Sequence, residues 1–113
     1  MGLVARLLGR GGEPEWLDPG DLRRRLAGEA APLVVDVRGA DEFDGPLGHI
    51  EGARNIPLGE LPQYRAELAA AGRPIVFVCL SDKRSARAAA ECAAAGIADV
   101  AVLRGGMQAW RSG

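Results

Sequence analysis

The chain is poor in the residues that mark several common functions. Lys83 is the only lysine and His49 the only histidine among 113 residues. One histidine and two cysteines, Cys79 and Cys92, offer no ligand set for a metal. Neither a GxGxxG run nor a P-loop is present, so no nucleotide is expected, and no cofactor of any kind is called for. Two thiols do not make a disulfide framework. The expected compartment is therefore a reducing cytoplasm, where a thiol stays available. No apolar run approaches the ~18 residues of a membrane span. Leu3, Val4, Leu7 and Leu8 near the start are interrupted by Arg6 and Arg10, which excludes the unbroken apolar region of a secretory signal. The formal net charge of −1 supplies no field to hold nucleic acid or an anionic membrane.

What is present suits one globular domain. Apolar residues make up 48% of the chain, enough for a core that needs neither metal nor disulfide. Residues 1–14 read as a flexible tail, because Gly9 to Pro14 is a breaker-rich stretch, and residues 15–113 as the domain. Trp16-Leu17 is a short extended segment. Asp18 as N-cap and Pro19 at the first helical position start a helix to about Ala27, ended by Gly28. Arg23-Arg24-Arg25 on it reads as a solvated face rather than a phosphate site.

Three runs, Leu33 to Val37, Ile75 to Val78 and Val100 to Leu103, are apolar at nearly every position and rich in β-branched residues. That pattern suits strands buried on both faces, as in a parallel sheet. Helical patterns alternate with them, from about Leu61 to Ala70, from about Arg84 to Ala95 with Gly96 as its stop, and as a short turn from Met107 to Trp110. A helical turn at Ala40 to Phe43 and a short strand near Asn55-Ile56 complete the reading. The fold class is α/β: a small parallel sheet of about five strands flanked by helices on both faces.

In such a sheet, sites form beyond the carboxyl ends of the strands. Asp36 with Arg38 lies at one such end and Cys79 at another. Cys79 opens the loop Leu80-Ser81-Asp82-Lys83-Arg84, followed by Ser85 and the Ala-rich helix. A strand-to-helix turn of this kind presents inward N–H groups and a helix N-terminus, a site for anions. A thiol there is favoured as thiolate, and Lys83 and Arg84 add positive charge. Cys92 reads as packing within its helix, with a resolving thiol as its other reading. His49 reads as a structural hydrogen-bonding residue, and Arg104-Gly105-Gly106 as a tight turn.

These residues together resemble a rhodanese-like (sulfurtransferase) domain, from about Trp16 to Trp110. Leu33 to Arg38 with Glu42-Phe43, Gly48 to Pro57, Cys79 to Ser85, and Gly105 to Trp110 carry the resemblance, in the family's order. It implies that Cys79 takes the outer sulfur of a donor such as thiosulfate as a persulfide and yields it to a thiol or protein acceptor. Loop residues Leu80 to Arg84 would bind the anionic donor, with Ser85, Asp36 and Arg38 in support. The related phosphatase and arsenate-reductase branch uses a loop one residue longer than Cys79 to Arg84, so sulfur transfer is favoured over those chemistries. Members of the family often carry glycine where this chain has Asp82, which makes a non-catalytic binding or regulatory module the main alternative. An inward Asp82 carboxylate would oppose the thiolate and repel thiosulfate; one turned outward or toward Lys83 would cost little.

Overall fold

A computed structural model describes residues 13–112. The expected tail, residues 1–14, lies outside the described residues except for its last two. The sheet is built from β1 (Glu15–Leu17), β2 (Leu33–Asp36), β3 (Arg54–Asn55), β4 (Ile75–Val78) and β5 (Val100–Leu103). Their order is β1-β5-β4-β2-β3, and every pairing is parallel. The helices are α1 (Pro19–Leu26), α2 (Ala40–Phe43), α3 (Arg65–Ala70), α4 (Lys83–Ala94) and α5 (Gly106–Ser112).

The alternation of side chains along each strand divides the interior into two cores. Val35, Phe77 and Val102 face the layer that contains α3 and α4, and meet Leu61, Leu68, Ala88, Ala89 and Cys92. Val34, Val76 and Leu103 face the other way, against Leu22 of α1, Ile50 and Met107 of α5. Every residue of β4 and β5 is buried. This is the physical reason their sequences are apolar without alternation. The alanines of α4 that face the sheet, Ala88 and Ala89, are fully covered.

Several boundaries differ from the sequence expectations for identifiable reasons. The helix expected from Leu61 to Ala70 is a 3-10 segment, Leu58–Tyr64, that continues into α3. Pro62 lies inside that segment and has no N–H to donate. The first helix ends at Ala27 in an ordinary right-handed conformation, so Gly28 is not a left-handed stop. Gly96 is one, with φ of 95°. Asp18 precedes α1, but its carboxylate accepts from Arg104 Nε at 3.0 Å, while the Asp21 carboxylate accepts the Asp18 N–H at 3.1 Å. The Arg23 to Arg25 triplet is engaged on the surface: Arg24 pairs with Asp21, Arg25 with Glu15, and Arg23 lies over the Trp110 ring.

Candidate active site

β4 ends at Val78, and the chain turns immediately into the loop that starts at Cys79 and runs into α4. Cys79 is only 1% exposed, on the α4 side of the sheet. Its Sγ accepts the Ser85 N–H at 3.4 Å, and the Ser85 hydroxyl lies 3.3 Å away. Ser85 is itself fully buried in the first turn of α4. The thiol is thus held by polar groups at a helix N-terminus, inside an otherwise apolar core.

A ring of amides around the sulfur was the sequence expectation, and the structure refines it. Of the loop amides, that of Ser85 donates to Sγ. Those of Leu80, Ser81, Asp82, Lys83 and Arg84 donate to no protein group among the described residues. Their direction follows from the carbonyls. The Cys79 carbonyl accepts the Met107 N–H at 2.8 Å, and the Leu80 carbonyl accepts the Gln108 N–H at 3.1 Å. In a trans peptide the following N–H points opposite to the carbonyl. The Leu80 and Ser81 amides therefore turn away from α5, toward the face on which Cys79 lies. Neither amide donates to a protein group among the described residues.

Gly106 makes this arrangement possible. It sits at φ of 56°, and a Cβ on it would come within 2.1 Å of the Ser81 carbonyl oxygen and 2.3 Å of that of Cys79. The expected tight turn at Gly105-Gly106 is present, both residues having positive φ. Its larger consequence, a wall against the back of the loop, could not be seen in the sequence.

Of the loop's two cations, Arg84 is paired and, among the described residues, Lys83 is not. Arg84 donates to both carboxylate oxygens of Glu42, at 2.8 and 3.0 Å. That pairing holds the Glu42 carboxyl down at about 2, chiefly through its hydrogen bond from Arg84 and then through the Gly39 N–H, and it raises Arg84 further above its ordinary value. Lys83 is exposed and makes no ion pair with the described residues. Asp82 has φ of −152°, so the position needs no glycine-like conformation. Its carboxylate accepts the Gly105 N–H at 3.2 Å, which turns it toward the β5–α5 turn.

Asp36 and Arg38 form a separate buried pair. Arg38 donates to both Asp36 oxygens and, through Nη2, to the Gly48 carbonyl at 2.7 Å; both residues are 1% exposed. They hold the end of β2 to the Gly48 turn and present nothing to solvent. His49 stacks on Phe43 and bonds its carbonyl through Nδ1 at 2.9 Å, the structural role expected of it. Cys92 is fully buried in α4, and burial pushes its thiol up, as suits a packing residue. No group of three or more His, Cys, Asp or Glu side chains able to hold a metal occurs among the described residues. A cavity of about 430 Å³ opens at the opposite, amino-terminal end of the strands, between Arg25, Pro32, Ile75 and Val100, and among the described residues no cysteine, serine, threonine, lysine or histidine lines it.

Sequence reasoning missed Glu42 as the partner of Arg84. The two lie far apart in the chain, and nothing local in either segment reports the pairing.

Comparison with known proteins agrees with this geometry. The rhodanese-like domain family matches residues 18–113. Over 84 residues, 74% of this chain, the sequence is 39% identical to the uncharacterized protein YqhL of Bacillus subtilis, of which the match spans 64%. It is 38% identical, again over 74% of each chain, to the thiosulfate sulfurtransferase GlpE of Pseudomonas aeruginosa. A rhodanese-like domain protein from Staphylococcus aureus superposes with a TM-score of 0.76 at 28% identity, over 85% of this chain and 90% of that one.

Proposed function

The chain belongs to the rhodanese-like domain family, and from that premise we propose that it is a sulfurtransferase or persulfide carrier working through Cys79. The carrying observation is the thiol held by Ser85 in a loop whose carbonyls are tied to α5 and whose amides are left without partners. In the first half-reaction the Cys79 thiolate attacks the outer sulfur of a donor. A new S–S bond forms, the donor's own bond to that sulfur breaks, and its electron pair leaves with the remainder, sulfite when the donor is thiosulfate. In the second, a thiol or protein acceptor attacks the persulfide's outer sulfur and the Cys79 thiolate is returned. The Leu80 and Ser81 amides stabilise charge on the transferred sulfur, and the Ser85 hydroxyl donates to the Cys79 sulfur as it re-forms.

The turn of Asp82 toward Gly105 removes the main objection to this reading, an inward carboxylate facing the thiolate. No helix among the described residues is long and apolar enough to cross a membrane, and the reducing cytoplasm suits a working thiol. The near-complete cover over Cys79 favours one competing reading, a binding module that keeps the fold without the reaction. Steady-state kinetics separate the two. With a sulfane donor and cyanide, the enzyme gives thiocyanate with parallel-line, ping-pong patterns that vanish in Cys79→Ser. Absence of turnover with every sulfane donor supports the module instead.

A further inference from the structure

Both arginines beside the Cys79 loop are held by carboxylates. Arg84 is engaged by Glu42 through both carboxylate oxygens and Arg38 by Asp36, while Lys83 is exposed and the neighbouring Asp82 carboxylate accepts the Gly105 N–H. The thiol these groups surround is 1% exposed, so a donor must give up much of its hydration to reach it. The cost of removing an ion from water rises with the square of its charge, and only uncompensated positive charge would offset it. A free Arg84 would supply that charge; Arg84 held by Glu42 supplies little.

We infer that Glu42 is a specificity-determining residue, which fits this site to sulfane donors of low negative charge, such as a persulfide or thiosulfonate sulfur, over the thiosulfate dianion. This deepens the sulfurtransferase reading and rests on it. With a persulfide, the Cys79 thiolate attacks the terminal sulfur of R–S–SH. The Cys79–S bond forms, the R–S bond to that sulfur breaks, and R–S⁻ leaves with the electron pair and the charge. No oxidant or reductant is consumed, and no dianion enters or leaves.

The test compares thiosulfate with methanethiosulfonate, in which a methyl group replaces one charged oxygen, as donors for single-turnover sulfur loading of the full chain. In Glu42→Gln, the ratio of second-order loading rates, thiosulfate over methanethiosulfonate, rises by about tenfold, because one anion beside Arg84 is gone. Thiosulfate loading of the wild-type chain changes little between low and high salt, whereas in Glu42→Gln it falls as salt rises. A merely structural Glu42 would slow both donors together and leave the ratio and the salt dependence unmoved, which overturns the inference. The salt series on the wild-type chain stands even if the variant fails to fold: a steep fall in thiosulfate loading with salt would show an uncancelled positive site and overturn it too. Failure of both donors to load Cys79 contradicts the sulfurtransferase reading itself, and this inference falls with it.

Discussion

Gly106 lies directly behind Ser81, so close that a single methyl group on it would come within 2.1 Å of the Ser81 carbonyl oxygen. Two distant segments of the chain, the loop after β4 and the first turn of α5, are thereby fixed against each other. The Met107 and Gln108 amides complete the contact by donating to the loop's carbonyls. The orientation of the Leu80 and Ser81 amides depends on that contact.

Gly106→Ala is therefore expected to damage both fold and site. The added Cβ meets backbone rather than a flexible side chain, and φ of 56° is itself unfavourable for alanine. A loss of about 1–3 kcal/mol in urea unfolding is expected. Sulfur loading should fall further than stability does when measured where the variant remains folded. An unchanged loading rate would show that the loop does not need this wall.

Ser85→Ala removes a hydroxyl 3.3 Å from the Cys79 sulfur and leaves the amide in place. Hydrogen bonds to charged groups contribute about 1.5–3 kcal/mol. Loading slows by about tenfold or more in single-turnover measurements. Ser85→Thr, which keeps the hydroxyl, should recover part of the rate.

Asp36→Asn leaves Arg38 buried without its counter-charge. Removing one partner of such a pair costs about 3–5 kcal/mol, readable as a lower urea midpoint. Asp36 and Arg38 have the character of scaffold, so loading by the folded fraction should change far less than stability. A large loss of loading with little loss of stability would move the pair into the chemistry.

The Glu42–Arg84 pair sets an acid dependence. The Glu42 carboxyl is depressed from the usual 4.5 to about 2 in the folded protein. Its contribution to stability is therefore complete above about pH 4.5 and is lost as pH falls through about 2. Both side chains are more than a third exposed, so the effect is at the scale of a surface pair, about 0.2–1 kcal/mol. The difference in urea midpoint between the wild-type chain and Glu42→Gln should shrink as pH is lowered across that window. A difference that stays constant with pH would show that the carboxylate's charge is not what stabilises.

Much of the architecture was legible in the sequence because burial on both faces leaves a direct signature. The runs at Ile75 to Val78 and Val100 to Leu103 are apolar throughout, and both are central strands. The turn from β4 through Cys79 into α4 was legible because a strand end, a polar loop and a helix start are contiguous. Contacts between distant segments were not. No local pattern tells that Glu42 reaches Arg84, that Gly106 presses on Ser81, or that Asp82 turns to Gly105. Arg84, expected to add free positive charge with Lys83, is instead paired, because its partner Glu42 comes from α2, after a different strand. Asp82 was judged against a glycine-like conformation that the loop does not adopt there.

The central claim is that Cys79 carries the transferred sulfur. Intact-protein mass spectrometry after exposure to a sulfane donor, on the wild-type, Cys79→Ser and Cys92→Ser chains, tests it most directly. A gain of one sulfur atom in the wild-type and Cys92→Ser chains, reversed by a thiol reductant and absent from Cys79→Ser, is the predicted result. No gain with any donor, or a gain that survives in Cys79→Ser, would contradict it.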